Sequence, residues 1–162
     1  MYYGSKEDQD RHVQTLIKEH RDAAALFPAI RKVCTAFDGK VYNVRFTKAL
    51  REATGARISV EARSETIYIY IYGHAGRWIH LADLSRADMA DGKRINAAKL
   101  IESARICRES HLKKAYELEL AAAKADLVKQ QLQDLGQLLQ AILKDIPYEI
   151  RDTYNINARL TY

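Results

Sequence analysis

One pair of residues has the spacing to do chemistry. Cys107 and His111 stand four positions apart, so a helix places both on one face, the arrangement by which a helix offers two ligands to zinc. A structural zinc needs four ligands, and His12, His20, His74 and His80 have no spacing that completes the set. Read as nucleophile and base, the same pair lacks a third group to orient the histidine and a loop to hold an oxyanion. No phosphate-cradling glycine loop, paired-carboxylate motif or nucleophile elbow occurs in the chain. No catalytic residue, metal or cofactor is therefore assigned. An enzyme is the class these motifs support least, and Cys107 and His111 read as positions on an apolar helical seam.

A second group of residues could act by contact. Tyr68, Tyr70 and Tyr72 alternate with Ile67, Ile69 and Ile71, and His74, Arg77 and Trp78 follow closely. With a side-chain period of two, the tyrosines share one face of a strand and the isoleucines the other. Aromatic faces beside basic residues stack on the bases of single-stranded nucleic acid or anchor protein interfaces. The alternative is structural: alternating tyrosines pack cross-strand beneath a helix with their hydroxyls reaching water.

The elements that must position these residues follow from periodicity. Ser5 and Asp8 make an acidic version of a capping box, and Val13, Leu16, Ile17, His20 and Ala24 then recur at helical spacing. Pro28 predicts a kink or boundary before Ala29, after which Ile30, Val33, Cys34 and Phe37 share a face until Asp38 and Gly39 end it. Asn43 is a plausible N-cap for a helix carrying Phe46, Ala49, Leu50 and Ala53, with Gly55 as its left-handed terminator. From Arg57 the period becomes two: Ile58, Val60 and Ala62 make a strand, Ser64 and Glu65 a turn, and residues 66–72 the next strand. A turn through Gly73, His74 and Gly76 leads to a third strand over residues 77–81, giving an antiparallel meander with helices on one face.

Helical period returns after Gly92 and continues through residues 95–146, where Pro147 stops it. Ala104, Cys107, His111, Lys114, Leu118, Ala121, Ala125, Val128, Leu132, Leu135, Leu139, Ile142 and Ile146 recur at alternating steps of three and four, the seam of a coiled coil. About 50 residues of helix span roughly 75 Å, longer than a domain of this size is wide. Leu118, Val128, Leu132, Leu135, Leu139 and Ile142 form the cleanest part of the stripe and are the expected partner-binding residues. The partner is another protein, a second copy in a homodimer, or the N-terminal helix folded back.

The order helix, three strands, helix between Asn43 and Ala115, with Lys93, Arg94 and Lys99 opening the last helix, resembles a double-stranded RNA-binding domain. The resemblance implies that lysines at the start of that helix grip phosphates and that the first helix and strand turn read the minor groove. It covers less than half the chain, and the family's long glycine-proline-histidine strand loop is replaced by the short turn at Ser64 and Glu65. Arg57, Arg63, Lys93, Arg94 and Lys99 are the candidate contacts to phosphate or to an acidic partner, the alternative being a solvated surface.

Composition sets the outer bounds. The 162 residues carry a net charge of +5, 48% hydrophobic and 29% charged residues, two prolines and two cysteines. This is a globular, helix-rich α+β chain of one small domain with an appendage: an α+β domain over residues 1–92, the long amphipathic helix over 93–146 and a tail over 147–162. Basic charge favours nucleic acid or an acidic protein face. No apolar run is long enough to cross a bilayer, no signal peptide is legible and the cysteines read as packed thiols, so a cytoplasmic location is expected. The expectation is a non-enzymatic interaction protein, of the kind that phages and mobile elements carry as accessory factors inhibiting or regulating nucleic-acid machinery such as a nuclease. Direct nucleic-acid binding is the alternative, and a small enzyme the third class.

Overall fold

Residues 4–41, 43–73, 77–88 and 96–153 are described by a computed structural model. Helix α1 (Lys6–Ala25) begins as the sequence dictates: Ser5 Oγ accepts from the Asp8 N–H at 3.3 Å, and the Asp8 carboxylate accepts from the Ser5 N–H at 3.1 Å. Two otherwise orphaned donors are thereby satisfied. The chain turns at Leu26, and α2 (Phe27–Ala36) carries Pro28 in its first turn, where a missing N–H costs nothing. Pro28 therefore marks a boundary between helices. Asn43 caps α3 (Val44–Thr54) by accepting from the Arg45 N–H at 2.9 Å, and Gly55 ends it at φ 66°, a left-handed turn that glycine makes without steric cost.

Strands β1 (Ile58–Arg63), β2 (Thr66–Tyr72) and β3 (Trp78–Ser85) form an antiparallel sheet in the order β1-β2-β3. Ile58 pairs with Ile71, Val60 with Ile69 and Ala62 with Ile67, so the isoleucines of β2 meet the apolar residues of β1. The third strand is longer than residues 77–81. A bulge opposite Ile69 and Tyr70 leaves Leu81 between the partners of those two residues, and pairing resumes from Ala82 to Ser85. Leu81 and Ala82 are both buried, which interrupts strict alternation and hides the strand's second half from a period-two reading.

The core lies on the isoleucine face. Ile58, Ile67, Ile69, Ile79 and Leu84 are joined there by Ile30, Cys34, Phe46 and Leu50 from α2 and α3. The last long helix, α4 (Ala97–Lys144), is 48 residues without a break. Asn96 Oδ1 accepts from the Lys99 N–H at its first turn, and α4 enters the core through Leu100 and Ala104. It also closes the free edge of β3. The Asp83 N–H donates to Ser103 Oγ at 2.9 Å, and the His80 carbonyl accepts from His111 Nε2 at 2.6 Å. Covering an edge strand removes a template for unwanted strand pairing.

Two compact units result, Met1–Glu119 and Leu120–Tyr162. The first holds α1 to α3, the sheet and the first part of α4. The second holds the remainder of α4 and a short helix, α5 (Tyr148–Thr153), an element that apolar periodicity does not reveal. Among the described residues no helix is long and apolar enough to cross a membrane.

Candidate functional site

The spacing of Cys107 and His111 does put both on the face of α4 that meets β3, where they meet different atoms of His80. Cys107 Sγ lies 3.5 Å from His80 Nδ1. His111 bridges two elements, with Nε2 on the His80 carbonyl and Nδ1 2.9 Å from Nδ1 of His20 on α1. Since a carbonyl only accepts, His111 Nε2 carries a proton. In the neutral ring its Nδ1 accepts, so His20 Nδ1 donates. Burial, then the charges of His111, Arg77 and Lys114, hold the His20 pKa below its usual 6.5, with Glu19 opposing them. A second proton on this pair would set two N–H groups against each other.

Asp83 completes a sequence of groups that spacing alone did not disclose, its carboxylate 3.2 Å from His80 Nε2 but off that nitrogen's hydrogen-bonding direction. Thiol, imidazole and carboxylate stand in the order of a nucleophile, its base and an orienting group. The electrostatics run the other way. Burial, and then the Asp83 charge, push the Cys107 thiol up to about 11, whereas an activated thiol is lowered by positive surroundings. The arrangement is that of a neutral, packed thiol in contact with an imidazole. The described residues contain no group of three or more His, Cys, Asp or Glu side chains placed to hold a metal ion.

His80 also joins this cluster to the tyrosine face. Its ring centroid is 6.0 Å from Tyr68 and 5.8 Å from Tyr70, and the two tyrosine rings lie 5.8 Å apart at an interplanar angle of 20°. At the far end Tyr72 and Trp78, paired across β2 and β3, meet edge to face at 5.0 Å. Tyr68 and Tyr70 are half-buried, but Tyr72 remains 40% and Trp78 51% exposed. Two arginines from the β1 side lie over these rings, Arg57 5.2 Å from the Tyr72 centroid and Arg63 5.9 Å from that of Tyr70. Arg63 also pairs with Glu61 at 2.6 Å, which holds its guanidinium charge.

The remaining basic residues are placed differently. Arg77 turns to the buried Glu19 of α1 at 3.0 Å, so its guanidinium fastens the β2–β3 turn to α1. Lys99 is exposed and borders a cleft of about 320 Å³ together with Asp83, Asp88 and Glu102, surroundings that favour a cation over a phosphate. His74, Lys93 and Arg94 lie outside the described residues. The order α3, three strands, α4 on which the double-stranded RNA-binding resemblance rests is present, and of the three basic residues at the start of its last helix only Lys99 falls among the described residues.

A second surface lies along α4. Its seam is not uniform: Ala104 is buried, Leu118 half-buried and Lys114 exposed, while Ala115, one position on, is 2% exposed. A straight α-helix has 3.6 residues per turn, so its buried stripe drifts from a strict heptad. Further along, Val128 is 53%, Leu132 45%, Leu135 50% and Ile142 50% exposed, with Leu139 half-buried. Leu127 and Leu138, which the heptad positions omit, are 59% and 57% exposed and widen the stripe on one side. The chain matches no protein-family model, no curated protein and no solved structure.

Proposed function

We propose that this protein works by binding and that the apolar stripe on the distal half of α4 is its protein-binding surface, with a second copy of the chain as the occupant. The observation carrying this reading is the run from Leu127 to Ile142, in which Leu127, Val128, Leu132, Leu135, Leu138 and Ile142 are each 45 to 59% exposed. Single exposed leucines are ordinary, but contiguous apolar rows mark interaction sites. A heptad row is also complementary to itself, because knobs at a and d fit the holes of an identical helix, and a two-fold pair buries the same patch on both chains. Within each chain, Leu100, Ala104 and Ala115 of the proximal half are buried, whereas the residues of the distal run keep 45 to 59% of their surface exposed.

Light-scattering mass across a wide concentration range tests the proposal. The wild-type chain is expected at twice the monomer mass when concentrated. Leu132→Asp combined with Leu139→Asp, which would bury charges at two seam positions, is expected to give a monomer whose sheet domain retains its near-ultraviolet signal. A wild-type chain that stays monomeric at high concentration, or a double variant that still dimerises, overturns the proposal.

A further inference from the structure

The tyrosine face takes no part in the α4 stripe, and its rings and cations suit a different occupant. We infer that this sheet face is a stacking platform for single-stranded nucleic acid, with Trp78 and Tyr72 as the principal stacking rings and Arg57 as the phosphate contact. Trp78 and Tyr72 are the two most exposed aromatic side chains of the sheet, at 51% and 40%. They sit opposite one another on adjacent strands, so each presents ring surface beside the other's edge. Tyr70 and Tyr68 continue the row along β2, their rings 5.8 Å apart and tilted by only 20°. Ring faces select single strands over duplexes, because the bases of a duplex are stacked on one another and expose only their edges, whereas unpaired bases can be splayed out to stack on aromatic side chains.

Charge selects a polyanion for the same rings. Arg57 lies over Tyr72 and Arg63 over Tyr70, both reaching from the β1 side, so the backbone of a bound strand tracks β1 while its bases lie over β2 and β3. A guanidinium held over a ring keeps its charge and several N–H donors for a phosphate. The acidic groups of this face crowd the other end: Glu61 and Asp83 flank Tyr68 in the register, and Glu61 is already engaged by Arg63. The strand is therefore gripped where Arg57, Tyr72 and Trp78 meet. An acidic protein surface would also meet the arginines, and the stacking of bases on the rings is what separates the two occupants.

Trp78 is the only tryptophan in the chain, so its fluorescence reports directly on stacking. The full-length protein is titrated with oligo(dT), oligo(U), a length-matched duplex, an abasic strand of the same charge and polyglutamate. Both single strands are expected to quench Trp78, with log K falling against log salt by about 0.7 for each phosphate contacted. Tyr72→Ala and Arg57→Gln, both at exposed positions, are expected to weaken binding roughly tenfold, within the range typical of lost base stacking, with unchanged circular dichroism. Leu132→Asp with Leu139→Asp is expected to leave the quenching intact. The inference is overturned by no quenching from single strands at low salt, by equal quenching from the abasic strand or duplex, or by affinity that survives Tyr72→Ala. Quenching by polyglutamate as strong as by oligo(dT) also overturns it and assigns the face to an acidic protein surface.

Discussion

Replacing Leu100 and Leu132 by alanine, one at a time, separates the two halves of α4 energetically. Leu100 is fully buried among the core residues, whereas Leu132 is 45% exposed. Truncating a buried leucine removes about 1.5–3 kcal/mol of transfer free energy and leaves a cavity that the neighbours fill only in part, so the total is about 2–5 kcal/mol. A domain of this size has a stability on the order of 5–15 kcal/mol, so Leu100→Ala removes a large share of it. With a urea slope on the order of 2 kcal/mol per molar, a loss of about 3 kcal/mol moves the midpoint down by roughly 1.5 M. Trp78 on β3 reports this transition from within the sheet.

Leu132→Ala should behave differently. In dilute solution it should stay within about 0.5 kcal/mol of wild type, as surface substitutions do, and alanine is itself a good helix former. As protein concentration rises the two curves should separate, because a dimer's stability grows by about 1.4 kcal/mol for each tenfold increase while the weakened variant remains monomeric. A Leu100→Ala cost below about 1 kcal/mol would refute the keying of α4 into the sheet. A Leu132→Ala cost equal to that of Leu100→Ala and independent of concentration would show that the distal stripe is packed within one chain.

Two further outcomes follow from the titrating groups. The pKa of His20 lies below its unfolded value near 6.5, so the unfolded chain binds the proton more readily; its contribution to stability is complete above that pH and is lost as pH falls through the folded value. His20 faces His111 and Lys114 of α4, Arg77 of the β2–β3 turn and Glu19 of its own helix, and His20→Phe should flatten the fall in urea midpoint between about pH 8 and pH 5; an identical fall in the variant rejects this assignment. Burial raises the Cys34 thiol to about 12 and, with the Asp83 charge, Cys107 to about 11, against 9.0 for an ordinary thiol. Native Cys107 should therefore alkylate about a hundredfold more slowly near neutral pH than the same thiol in urea, since the thiolate is the reacting species; a native rate matching the unfolded one would show the thiol to be activated.

Local chemistry explains what could be read from the sequence. Ser5 with Asp8, Asn43 and Gly55 act through partners no more than four residues away, and the alternation of Ile67 to Tyr72 follows from strand geometry alone. These positions needed no tertiary information. His80 did: its contacts with Tyr68, Tyr70, Cys107 and Asp83 depend on the sheet register and on where α4 crosses the β3 edge. His80 and Asp83 are three apart, a spacing that suggests nothing in a strand, because there it places them on opposite faces unless a bulge intervenes. The bulge at Leu81 is what brings both toward the tyrosine side. The same reasoning explains Lys114 and Ala115. A heptad template assigns the seam to Lys114, whereas a helix straightened against a sheet follows 3.6 residues per turn and buries Ala115. Further along, the row from Val128 to Ile142 keeps the strict alternation of three and four, the period that the proposed pairing with a second helix requires.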